Sequence, residues 1–400
     1  EDVGGNIVAP VTFPINGTPT VAQTVKDGGL ITIAADNLRQ STILVADGTT
    51  WQNIASYKAT AQYEAAKIER VRVTLPAGIE SASFAGIAVA FNGSVVGQDT
   101  LPAGNAGVSK DIDLSTPIMV PKDGSTTFQV WAKVAAVQSV NSVPGSGIAR
   151  SGAPLQAGIE YNVQNGNWDA AYLNKLNVRL IGEASGDVLR ANAAMNAVGN
   201  EFVVRKTKPT VTRQTLSSTT LANATQELYK MQISADAAGS VAVKQVTFDV
   251  AISGTLSLTN FRLRKGSSDI ALGQMQIVDS YGTDLIAGVV ASTTKVTVTF
   301  TNEETIAGNG SVYTLYATAS GADAGESVSV TPSRDGSLVT LSGALSDDGD
   351  GRAEVDGSQA FFVWSDNSEV PHTNSLGGAS LDWANDVFVE DLTQTQTLTR

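Results

Sequence analysis

The chain has 400 residues, no cysteine, one histidine and 38 glycines, and 39 acids against 26 bases give a net charge of −13. Cysteine-ligated zinc, iron–sulfur clusters, thiol catalysis and disulfides are therefore excluded, and any His-ligated metal or His-based triad must use His372. The charge has the wrong sign for nucleic acid, and no apolar run reaches the ~20 residues that span a bilayer.

Residues 1–50 carry Pro10, Pro14 and Pro19. They read as an extended arm with weak strands over 21–35, because proline suits edges rather than central strands. From residue 51 onward, short runs alternate polar with apolar residues and are rich in β-branched side chains. They fall at 68–75, 127–132, 176–180, 241–248, 295–300 and 327–330. Turn pairs punctuate them, among them Asn92-Gly93, Asp123-Gly124, Asn165-Gly166 and Asn309-Gly310. Only 55–66 and 188–197 have the character of short helices. Period-two alternation in runs this short predicts an all-β fold of tandem immunoglobulin-like β-sandwiches with an extended N-terminal segment.

An internal repeat supports two sandwiches. Tyr57-Lys58-Ala59 is echoed by Tyr229-Lys230-Met231, and the strand ending at Thr74 by the one ending at Phe248. Asn92-Gly93-Ser94 answers Lys265-Gly266-Ser267, and Phe128-Gln129-Val130-Trp131-Ala132 answers Tyr313-Thr314-Leu315-Tyr316-Ala317. Gly199 to Val204 answers Gly357 to Val363. The landmarks keep one order. The predicted division is an arm over 1–50, sandwiches over 51–206 and 207–366, and acidic C-terminal strands over 367–400. The sandwiches join at Lys206-Thr207-Lys208-Pro209, a short linker that predicts semi-rigid coupling.

Two stretches, Phe362 to Ser368 and Asp382-Trp383-Ala384-Asn385-Asp386, with His372 between them, resemble the end of a module in secreted surface proteins of ultra-small bacteria (Patescibacteria). Lys206 to Thr212 resembles the start of such a module. The likeness covers most of 57–400. It implies Ig-like modules and a role in cell-surface architecture, as a surface layer, filament or adhesive stalk.

Candidate chemistry is sparse. Eleven acids against one base, Arg352, lie between Leu345 and Asp391 and carry ten of the thirteen net negative charges. Within that window Asp348, Asp350 and Asp356 are candidate Ca²⁺ ligands, since closely spaced carboxylates on glycine turns offer several hard oxygens. The competing reading is a solvated acidic turn. His372 reads as a structural histidine. Ser292 and Lys295 match a Ser-x-x-Lys spacing, but on a strand rather than the helix start that such a nucleophile needs. Of the tryptophans, Trp131 and Trp364 read as packing residues, and Trp168, in an Asn-rich loop, as the candidate glycan contact.

The expected function is non-enzymatic: an extracellular structural protein in mature secreted form that assembles with copies of itself into a surface filament or layer. The opening Glu1-Asp2-Val3-Gly4-Gly5 has no secretory leader pattern. The alternatives are a glycan-binding adhesive module, whose partners are surface glycans, and a β-sandwich hydrolase. For assembly by strand donation, Ile7, Val8, Val11, Phe13 and Ile15 are the candidate anchors, with Thr393 to Thr399 as the rival donor. No cofactor is expected apart from the candidate Ca²⁺.

Overall fold

The computed structural model describes residues 29–104, 108–137, 147, 149–161, 178–188, 190–191, 195–336, 345–346, 350, 352–355, 357–369 and 382–400. Within them the chain forms strands and two single 3-10 turns, with no α-helix.

The first sandwich runs through β1 (Leu30–Ala35), β2 (Ile43–Val45), β3 (Trp51–Gln62), β4 (Ala66–Thr74), β5 (Phe84–Phe91), β6 (Ser94–Asp99), β7 (Ser109–Val120) and β8 (Ser125–Val134). It continues with β9 (Pro154–Leu155), β10 (Gly158–Tyr161), β11 (Val178–Gly182), β12 (Arg190–Ala191), β13 (Met195–Val198) and β14 (Phe202–Arg205). One sheet has the order β12-β1-β3-β8-β5-β6; the facing one is β11-β4-β10-β13 with β7 on the other edge of β4. A small third sheet, β2-β14-β9, closes the end from which the chain leaves.

The second sandwich begins with β15 (Pro209–Arg213), β16 (Thr225–Ala235), β17 (Val241–Ser253), β18 (Ser257–Lys265), β19 (Ser268–Asp269), β20 (Met275–Val278), β21 (Val289–Val290) and β22 (Thr294–Ile306). Then follow β23 (Ser311–Ser320), β24 (Ser327–Pro332), β25 (Leu345–Ser346), β26 (Glu354–Val355), β27 (Ser358–Gln359), β28 (Phe362–Ser365), β29 (Trp383–Ala384) and β30 (Gln396–Thr399). Its sheets are β15-β16-β23-β18-β19 and β20-β22-β17-β24-β30, with β28 on β17 and β29 on β28. β15-β16-β23-β18 and β17-β24-β30 follow the A-B-E-D and C-F-G orders of an immunoglobulin sandwich, with β22 added beside the C position.

The sequence repeat is a topological repeat in its sandwich strands, though not in its last echo, where β14 pairs with β2 and β9 but β28 pairs with β17 and β29. The run β1-β3-β8-β5-β6 matches β15-β16-β23-β18-β19 strand for strand, and β7-β4 matches β22-β17. The echoed Tyr57 and Tyr229 occupy matching strands. Each buries its ring in its own core and donates its hydroxyl to a main-chain carbonyl, of Ala197 at 3.2 Å and Gln394 at 2.9 Å respectively. A buried phenol without such an acceptor would lose the free energy of its hydration. Phe128 packs 5.5 Å from Tyr57, and Phe248 lies 5.6 Å from Tyr229, both tilted. The Asn92-Gly93 turn joins β5 to β6 with both residues at positive φ, +50° and +75°, as a two-residue hairpin of right-handed twist requires.

Within 1–50, β1 is antiparallel to β3 and β2 runs parallel to β14, while residues 1–28, with the three prolines, lie outside the described residues. Two expectations are corrected. The helical character of 55–66 gives way to strand, because β3 sits between β1 and β8 and both its edges are hydrogen-bonded; residues of 188–197 that are described contribute to β12 and β13. Trp131 is not a core residue. Phe128, Val130 and Ala132 fill the core, so alternation turns Gln129, Trp131 and Lys133 outward, half-buried.

Candidate functional site

β14 ends at Arg205 and β15 starts at Pro209, so only Lys206, Thr207 and Lys208 connect the sandwiches. All three are tied to the second sandwich. The Lys206 N–H donates to Asp366 Oδ2 at 2.7 Å and its Nζ to the Asn367 carbonyl at 2.8 Å. Thr207 is buried and bonds the Gly239 carbonyl, and Lys208 Nζ reaches Glu390 at 3.3 Å.

The centre of this joint is Arg205, 1% exposed. Its Nη1 donates to Ser151 Oγ at 3.0 Å and to the Asp382 carbonyl at 2.9 Å. Ser151 passes the contact on, donating to Asp366 Oδ2 at 2.7 Å. Arg205 and Ser151 belong to the first sandwich and both aspartates to the second, so the hydrogen bonds cross the joint. The guanidinium also lies 5.5 Å from the ring centroid of Trp364, which donates its own Nε1–H to the Asn385 carbonyl. Burial pulls the Arg205 guanidinium below its ordinary pKa, and the Asp366 and Asp382 carboxylates oppose that pull. Apolar contact reinforces the seam: Ile43, on β2 of the first sandwich, packs in the hydrophobic core of the second.

The module-end residues build the receiving side. Trp364 pairs with Ala384 and Ser365 with Trp383 across β28 and β29, and Ser365 Oγ donates to Asp382 Oδ2 at 2.5 Å. Nearby, Asp386 is buried against Asp335, whose N–H donates to both Asp386 oxygens at 3.1 Å. Burial and then the Asp335 carboxylate push Asp386 up to about 8, and burial raises Asp335 as well. Burial and like charge favour one proton held by this pair, against the opposing charge of Arg334 3.8 Å from Asp386.

Of the candidate calcium ligands only Asp350 is described. Its carboxylate is taken by Arg352, through both the guanidinium and the main-chain N–H (2.9 Å for the latter). Asp348 and Asp356 lie outside the described residues, as do Trp168, His372 and the donor anchors Ile7, Val8, Val11, Phe13 and Ile15. Among the described residues no group of three or more His, Cys, Asp or Glu is placed to hold a metal ion. Lys295 is bound to Asp249 at 2.5 Å and to Ser333 at 3.1 Å, and Ser292 precedes β22 on an exposed turn. The rival donor, Thr393 to Thr399, supplies β30, which pairs with β24 inside its own sandwich. Sequence reasoning missed Arg205 and Ser151. The available signal was an arginine closing the apolar run Phe202-Val203-Val204, immediately before the linker.

No protein-family model matches the chain, and no curated protein matches it. Solved structures that align with it include the N-terminal domain of the Streptococcus gordonii adhesin Sgo0707, at 10% identity and a TM-score of 0.20 over 72% of this chain and 58% of that one. The major pilin RrgB of Streptococcus pneumoniae aligns at 10% identity and a TM-score of 0.19 over 86% of this chain and 57% of the pilin. The collagen adhesin of S. aureus aligns at 11% and 0.15 over 76% and 84%. The chain thus spans less than two thirds of the first two structures, and likeness of this size carries no argument about role. No helix among the described residues is long and apolar enough to cross a membrane.

Proposed function

We propose that the chain is a non-enzymatic structural protein of a cell surface, secreted and assembling with copies of itself into a filament or layer. One observation carries the reading: matching sheet edges differ between the two sandwiches. The outer edge of β1 pairs with β12 at Leu30 and Ile31, whereas β15, its counterpart, pairs on one side only among the described residues. Asp236 donates to Lys208 and Gln214 to Lys230, both at 2.9 Å, so the even-numbered residues of this ladder pair inward. The N–H groups of Val211 and Arg213 therefore face away from β16. An edge of that kind invites an added strand. The proposed donor is the N-terminal segment of a neighbouring copy, with Ile7, Val8, Val11, Phe13 and Ile15 as its apolar anchors. Such head-to-tail contact propagates as a fibre unless its rotation closes a ring.

The buried joint supports the same reading, since force along an assembly passes from one sandwich to the next through Arg205 rather than through a slack linker. The test is electron microscopy of the full chain beside a form lacking residues 1–20. The truncated protein should keep its β-rich circular dichroism and lose polymers. Polymers of normal length from it would refute strand donation. A full chain that stays monomeric and binds polysaccharide under the same conditions would favour the adhesive alternative.

A further inference from the structure

The outer face of the β1-β3-β8-β5 sheet holds two half-buried tryptophans in adjacent rows. Trp51 on β3 stands opposite Lys133 on β8, and Trp131 on β8 is flanked by Asn53 on β3 and Ala88 on β5. The Trp51 ring lies flat, since a Cβ at Gly86, two strands away, would stand 3.2 Å from its Cη2. Lys133 Nζ sits 4.7 Å from that ring's centroid, and Trp131 Nε1 is fixed to Gln129 Oε1 at 2.7 Å.

The second sandwich shows what is distinctive here. Its counterpart of Trp131 is Tyr316, flanked by Glu227 and Arg262 in the same register. There the chain covers its own ring: the Arg264 guanidinium lies 4.1 Å from the Tyr316 centroid, anchored by Asp269, and Glu227 takes the hydroxyl. The register puts Asn53, Ala88 and Ala90 where the second sandwich has Glu227, Arg262 and Arg264. Among the described residues the first sandwich thus has no counterpart of that arginine cover over Trp131.

We propose that this face binds an acidic polysaccharide, its pyranose rings lying on Trp131 with their carboxylates toward Lys133 and Lys58. Two features choose that ligand. An electron-rich ring face attracts the polarised C–H bonds of a sugar, while Asn53, Gln98 and Gln129 supply amide donors and acceptors for hydroxyls. The charge then sets the sign: β1, β3, β5 and β8 contain no acidic residue, yet Lys58 and Lys133 stand on this face of a chain with net charge −13. A cationic ligand is disfavoured by the same two lysines. The site does not depend on the assembly reading.

The test is titration of the full chain with galacturonic acid oligomers, followed by tryptophan fluorescence and calorimetry. Saturable binding that weakens with added salt is expected. Trp131→Ala should weaken it about tenfold or more, roughly 1.4 kcal/mol. Lys133→Glu, on the outer face and not in the core, should do the same while keeping a cooperative melt, lowered by no more than a few degrees through loss of the Trp51 contact. Absence of saturable binding, affinity unaltered in both variants, or equal binding of neutral dextran overturns the proposal.

Discussion

Replacing Arg205 with methionine tests whether the buried joint holds the two sandwiches together. The methionine keeps most of the apolar stem but removes the guanidinium that lies over Trp364 and bonds Ser151 Oγ at 3.0 Å and the Asp382 carbonyl at 2.9 Å. Hydrogen bonds from a charged donor contribute about 1.5–3 kcal/mol each. The loss also strips the Asp366 carboxylate, 0% exposed, of the Arg205 charge that faces it across the seam. Breaking a buried charged network by removing one partner costs about 3–5 kcal/mol. For sandwiches of this length that corresponds to a fall in Tm of about 10 °C. Scanning calorimetry is the assay. The wild type should melt as one coupled transition, and Arg205→Met should melt lower, with the two sandwiches separating into distinct transitions. Ser151→Ala removes only the bridging hydroxyl and should cost about 1–2 kcal/mol, which gives a graded comparison if the larger change prevents folding. A single transition within about 2 °C of wild type for both variants would show that the network contributes no coupling, and the mechanical argument for the joint would fall.

Asp386→Asn should flatten the dependence of stability on pH. Because the folded pair titrates above the ordinary carboxylate range, its stabilisation is complete below about pH 4 and is lost as the pH rises through about 8, at up to ~1.4 kcal/mol per unit; parallel denaturation profiles for variant and wild type would refute the shared proton. Adding a calcium chelator should leave the melting curve unchanged, since Asp350 is held by Arg352, and a lowered Tm would support calcium at Asp348, Asp350 and Asp356 instead. Phe248→Ala, in a core position 1% exposed, should cost about 3–5 kcal/mol by chemical denaturation, and a loss below 1 kcal/mol would mean that the Tyr229 cluster collapses to fill the space.

Alternation alone determined the class of this fold. The described residues of the six period-two runs fall on strands from β4 through β24, Leu75 excepted; β4, β8 and β24 alternate between a dry and a wetter face, whereas 241–248 on β17 is buried on both. The repeat was legible as an order of strands: β3 and β16 each bury a core tyrosine, although the register sets Tyr57 level with Met231 and Tyr229 level with Ala55. Three features were decided only by tertiary structure. β3 is a strand despite the helix-like 55–66 because β1 and β8 supply hydrogen bonds to both its edges, and local propensity has no knowledge of those neighbours. Trp131 faces outward because the phase of β8 is set by Phe128 and Val130, and a slip of one residue would have reversed it. Arg205, Ser151, Asp366 and Asp382 span 232 positions of sequence. Nothing short of folding brings them together, for a buried charge acquires its meaning only from partners that the chain places beside it.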